Sequence, residues 1–143
     1  MIFHSEPENF TPKFEVAGCF VEHDGKILLM RRHKDKPQGG TWCVPAGKLD
    51  KDEDARTAIV RETLEETGLV IDCDRLNHLK KTFVVYPDYH FVYHVFKVDL
   101  NERPGVVLKP DEHVEYKWVT PKEALQCDLI QDEDACIKLV YGC

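Results

Sequence analysis

Long apolar runs are missing from this chain. None of its 143 residues sits in a stretch matching the roughly 20 apolar residues that a helix needs to cross a bilayer, so no membrane partner is expected. The opening MIFHSEPENF has neither a basic start nor an apolar core. It is not read as a secretory signal, and the expected location is the cytoplasm. Positive charge is also short: 19 Lys and Arg stand against 26 Asp and Glu, a net charge of −7. That deficit argues against sequence-independent binding to polymeric nucleic acid, which draws its affinity from phosphate contacts. It leaves open a small anionic substrate, because a bound metal ion can reverse the local field. Cysteine is not scarce, but paired spacing is. Cys19, Cys43, Cys73, Cys127, Cys136 and Cys143 contain no Cys-x-x-Cys, so a zinc site is not expected. Free thiols suit a reducing compartment, and Cys19 and Cys43 fall in apolar strand patterns as small core residues. Repeats and low-complexity tracts are absent.

What is there fits a single domain spanning 1–143 with one sizeable core. Residues 1–12, with Pro7 and Pro12 and no periodicity, read as a loose arm. Strands are expected over 14–22 and 26–32, joined by a hairpin at Asp24-Gly25. The second is nearly continuous apolar (ILLM), so both its faces should be buried. Arg31 and Arg32 end it, where an arginine can hold phosphate bidentately or merely meet solvent, and 33–40 form a polar loop. Trp42–Pro45 is a short strand. Further strands are expected at 70–71, 79–86, 89–100 and 116–120. Along 89–100, His90 and His94 share a face, where packing is favoured over metal binding. Pro121 starts a helix at the position where its missing N–H matters least, and 132–141 is a last helix. The order gives a mixed α/β domain.

The most informative stretch is GKLDKDEDARTAIVRETLEETGL, residues 47–69. It reads as an acidic loop feeding a helix over 54–67, with acidic side chains crowding the first turn and Gly68 as C-cap. Projected at about 100° per residue, Ile59, Val60, Thr63, Leu64 and Thr67 form a core stripe; Ala55, Ala58, Glu62, Glu65 and Glu66 lie opposite. The three glutamates are three and four residues apart, so their carboxylates are neighbours. Such a face is either solvated or a place for a hard divalent cation.

The spacing of Gly47, Glu53, Arg61, Glu62, Glu65, Glu66, Gly68 and Leu69 resembles the Nudix box. Thr63 departs from it, standing where an apolar residue is usual, and Ala46-Gly47 replaces a glycine pair. The resemblance proper covers the box, with weaker likeness over most of the chain. It implies the Nudix fold, a mixed β-sheet sandwiched between α-helices. It also implies hydrolysis of a nucleoside diphosphate linked to another moiety, with Mg2+ as the cofactor and Mn2+ as a substitute. Metal ligands would be Glu62, Glu65, Glu66 and the Gly47 carbonyl. Arg61 and Glu53 would orient the carboxylates through an ion pair. The general base would be Glu62 or Glu112. Tyr86 or Tyr89 would stack on the base. Tyr86-Pro87 carries family markers for both dinucleoside polyphosphates and ADP-ribose and does not choose between them. A compact MutT-like nucleoside triphosphate pyrophosphohydrolase is the leading expectation. Hydrolases of ADP-ribose, nucleotide sugars or dinucleoside polyphosphates are the alternatives, and a nucleotide-sensing module that does not cut is the alternative of another class. The expected partner is a small nucleotide; a homodimer stands open beside a monomer.

Overall fold

The computed structural model describes all 143 residues. Eight strands form one mixed sheet: β1 (Ile2–Phe3), β2 (Pro12–His23), β3 (Lys26–Arg32), β4 (Trp42–Cys43), β5 (Ala46–Lys48), β6 (Asn77–Val85), β7 (His90–Asp99) and β8 (His113–Val119). Three helices complete the chain: α1 (Ala55–Thr67), α2 (Pro121–Ala124) and α3 (Glu133–Tyr141). The order across the sheet is β1-β6-β7-β2-β3-β4, with β5 also on β2 and β8 also on β3. β7 runs parallel to β2 along one edge from Pro12 to Glu22. The other edge is shared, pairing with β3 at Glu22 and His23 and with β5 at Val16–Gly18. The sheet therefore forks, and the fork is where the site lies.

Alternation along the central strands supplies two cores. Cys19, Val21 and Leu28 face α1, packing with Ala58, Ile59 and Trp118. Phe20, Ile27 and Leu29 face the other way, packing with Ala124, Cys136 and Ile137 of α2 and α3. The continuous apolar run of β3 thus has both faces buried, as expected, and the sheet is sandwiched between helices.

Asp54 caps α1 by accepting from the Thr57 N–H at 2.7 Å, and Gly68 closes it at φ 75°. α2 opens on Pro121 with a reciprocal Thr120–Glu123 capping box.

Four readings are corrected. The arm is tied down at its start, because Ile2 and Phe3 pair with Val84 and Phe83, and Pro12 already belongs to β2. Residues 70–71 form no strand; Ile71 is simply buried in the α1-side core. No acidic residue lies in the first turn of α1, since Asp50, Asp52 and Glu53 precede its cap. The buried stripe of α1 is rotated. Ala58, Ile59, Thr63, Glu66 and Thr67 are buried, while Leu64 is 48% exposed. The buried arc takes in the small Ala58 and the carboxylate-bearing Glu66, and it leaves a leucine at the edge.

Candidate active site

Arg61 is the hub of the box. Its Nε and Nη2 donate to the two Glu53 oxygens at 2.9 and 2.8 Å. Nη1 donates to Glu62 Oε1 at 2.8 Å, and Nη2 also reaches the Lys48 carbonyl at 3.1 Å. The Asp50 N–H donates to Glu53 Oε1 at 2.9 Å. The guanidinium bonds hold the Glu53 carboxyl down at about 2. A planar fork suits this two-sided grip, which a lysine would not reproduce. Glu62 lies directly against the backbone of Gly47; a Cβ there would collide with its carboxylate. The box glycine is thus explained by close approach.

Glu66 differs. Its Oε1 accepts from the Ala46 N–H at 2.9 Å, and no basic side chain pairs with it, though the Arg32 charge pulls against the shift. Burial raises its carboxyl to about 8, with the Glu62 and Glu112 charges adding to the shift. Ligand atoms of Glu66, Glu112 and His113 lie within 4.8 Å of one another. Glu65 is outside that group. Its side chain is 45% exposed and turned toward Arg61 Nη1 at 3.4 Å. Glu62 is half-buried, and burial raises its carboxyl despite Arg61.

A cavity of about 290 Å³ opens beside this cluster. Glu66, His113, Arg32 and Lys48 lie in its wall, together with Phe14, Tyr86, Tyr89, Phe91 and Tyr93. Arg32 donates from Nε to the Pro37 carbonyl at 2.8 Å. Arg31 lies outside the cavity and pairs with Glu115 at 2.8 Å, because neighbouring strand residues point to opposite faces. Tyr86, Tyr89 and Phe91 pack on one another with centroids 5.4 to 5.9 Å apart.

Sequence reasoning missed His113 and Glu133. Both are buried, both line the cavity, and each has one side-chain atom without a hydrogen-bond partner, Nδ1 and Oε2. Burial lowers the His113 imidazole and raises the Glu133 carboxyl to about 7. A Glu in the first turn of a helix looks like ordinary dipole compensation in sequence, and the fork that buries it is tertiary. His94 bonds Glu15 at 2.7 Å and His78 at 3.2 Å, and His90 accepts from the Thr11 N–H.

The family model of the NUDIX domain matches residues 12–139. The CTP pyrophosphohydrolase of Escherichia coli (strain K12) is 33% identical over 127 residues, covering 80% of this chain and 82% of the relative. A MutT-like protein of Streptomyces ambofaciens is 32% identical, covering 86% and 76%. The crystal structure of a MutT protein from Methanosarcina mazei Go1 superposes with a TM-score of 0.76 at 22% identity, covering 92% of this chain and 94% of that one. No helix here is long and apolar enough to cross a membrane. With the box geometry and a match over nearly its whole length, the chain belongs to the NUDIX domain family and is a Nudix hydrolase of the MutT type, acting on phosphorus anhydrides.

Proposed function

We propose that this chain is a magnesium-dependent nucleoside triphosphate pyrophosphohydrolase, releasing a nucleoside monophosphate and pyrophosphate. The observation that carries the reading is one cavity whose wall joins Glu66, His113 and Arg32 to the aromatic side chains of Phe14, Tyr86, Tyr89 and Phe91. A nucleotide has the same two-part chemistry, charged oxygens at one end and a flat ring at the other. The relative named CTP pyrophosphohydrolase supports the choice.

The residues fit a hard divalent cation, for which carboxylate and carbonyl oxygens are the preferred donors. Glu66 is a buried carboxylate with no basic partner, and Glu62 lies against a backbone that only glycine leaves open. Glu62, Glu65 and Glu66, with the Gly47 carbonyl, would hold Mg2+, and Mn2+ would substitute. When bound, the ion neutralises phosphate oxygens and lowers the pKa of water. Arg61 and Glu53 fix the carboxylates. Arg32 offers guanidinium donors to a phosphate, and Tyr86 and Tyr89 stack on the base. Water adds to phosphorus, the bridging P–O bond breaks, and its electron pair leaves with pyrophosphate. Glu112 takes the water proton. It is preferred over Glu62 because Glu62 already accepts from Arg61, whereas no ion pair engages the Glu112 carboxylate beside Glu66.

A hydrolysis screen with magnesium across nucleoside triphosphates, ADP-ribose and dinucleoside polyphosphates, with products identified, tests this. Monophosphate and pyrophosphate from triphosphates are expected. Cleavage of ADP-ribose to AMP and ribose phosphate, with triphosphates untouched, would overturn the choice. Magnesium binding without any turnover would move the sensing module ahead.

A further inference from the structure

β8 pairs with β3 alone, so its far side is an open edge of the sheet. The direction of its backbone groups follows from β3. Arg32 bonds away from β8, its N–H to the Thr41 carbonyl at 2.9 Å and its carbonyl to the Gly40 N–H at 3.0 Å. Alternation turns Arg31, Leu29 and Ile27 toward β8, where Glu115, Lys117 and Val119 face them in register. Tyr116 and Trp118, between those three, aim their N–H and C=O outward, and neither has a backbone bond outside the sheet. Open edges are usually blunted by charge or covered. The free part of β6, ahead of its pairing with β1, obeys that rule and carries Lys80 and Lys81 side by side. β8 instead carries one charge of each sign, Glu115 and Lys117, on either side of the exposed Tyr116.

We propose that β8 pairs antiparallel with β8 of a second copy of this chain, about a two-fold axis at Tyr116, carrying the sheet across a homodimer. A two-fold contact must be self-complementary, and this edge is. Tyr116 meets its own copy and exchanges two N–H···O=C bonds with it. Glu115 lies opposite Lys117 of the second copy, and Lys117 opposite Glu115, so opposite charges meet twice. Glu115 already holds Arg31 at 2.8 Å on its other side, which makes a row of alternating sign along one face. On the other face Tyr116, 42% exposed, packs on its copy, and Val114, 51% exposed, comes opposite Trp118. Moving the axis to either neighbour would set Glu115 against Glu115 or Lys117 against Lys117. Charge therefore selects Tyr116 as the centre.

Sedimentation velocity over a concentration series tests this on the wild type, Lys117→Glu, Glu115→Lys and an equal mixture of the two variants. The wild type should pass from monomer to dimer as concentration rises. Each variant alone sets like charges together twice and should dimerise at least about tenfold more weakly. In the mixture every cross-strand pair is again of opposite sign, so a heterodimer should form about as readily as the wild-type dimer. Thermal melts check that the variants fold. Amide exchange on the wild type reads the same edge without a substitution and decides if they do not. The Tyr116 N–H should exchange more slowly in concentrated than in dilute protein, while that of Lys117, turned to β3, should not change. A wild type that stays monomeric at every concentration overturns the inference and leaves the edge to a different chain. A dimer untouched by both reversals overturns it too, as does a dimer lost in both variants and not regained in the mixture. None of these outcomes depends on turnover, so the pyrophosphohydrolase reading is judged separately.

Discussion

Glu53 and Glu66 belong to one sequence motif and have opposite electrostatic fates. Glu53, before α1, is gripped by both arms of Arg61 and held at about 2. Glu66, in the last turn of α1, is buried beside other carboxylates with one backbone N–H for company, and rises to about 8. The Glu53 end has its counter-charge built in. The Glu66 end has no basic group bonded to it, Arg32 acting only from across the cavity wall, and that is the end facing the cavity. On the proposed reading, one end is scaffold and the other is a receptor for positive charge.

Breaking the Glu66 end should have the largest effect. Glu66→Gln keeps shape and removes charge; turnover should fall by about 10²-fold or more, since a ligand of the catalytic ion is gone. The fold should persist, and a metal-free melt should occur at or above the wild-type temperature. Near-normal turnover would dissolve the contrast. Glu112→Gln comes next, with a loss of about 10²-fold and disappearance of one ionisation from the pH–rate profile, the mark of a removed base. An unchanged rate and profile would make Glu112 plain surface charge. Arg61→Ala attacks the scaffold end and should cost about 10- to 100-fold in magnesium affinity or activity, as expected when the partners of metal ligands are lost. A larger loss than that of Glu66→Gln would reverse the order of the two ends.

The smallest effect is on stability against pH. The native Glu66 carboxyl keeps its proton up to about 8, whereas the unfolded chain releases it near the ordinary 4.5 of a free glutamate. Between those values the native state binds more protons, so this contribution is complete below 4.5 and fades as pH rises toward 8. Glu133, raised to about 7, acts in the same direction. Glu53 acts oppositely: its contribution is present above 4.5 and lost as pH falls toward 2. Metal-free melting temperature should therefore peak near pH 5 and decline toward pH 8, and Glu66→Gln should flatten the decline. A melting temperature rising from pH 5 to 8 would contradict the Glu66 assignment.

How much of this was legible in the sequence follows from how local each signal is. The Asp24-Gly25 hairpin, the doubly buried β3, the Gly68 cap and the Pro121 start rest on neighbouring residues, and the structure has all four. The spacing of the box groups Glu53, Arg61 and Glu62, and the structure joins them through the Arg61 guanidinium. Helical projection failed at Leu64 and Ala58 because the arc that α1 buries is set by the sheet beneath it. Arg31 and Arg32 looked equivalent as a pair, but strand alternation separates them. His113 and Glu133 gave no signal. They matter because β3 and β5 share one edge of β2, and that fork joins residues from the second half of the chain to the box.

The most direct test is a calorimetric titration of Mg2+ into the wild type and Glu66→Gln at pH 7, in two buffers of different ionisation enthalpy. A carboxylate must shed its proton to bind metal. Wild type should bind magnesium with an apparent heat that changes with the buffer, reporting proton release from Glu66, and Glu66→Gln should bind weakly with no buffer dependence. Equal binding by both proteins with no proton release would contradict the assignment of Glu66 as the residue waiting for the cation.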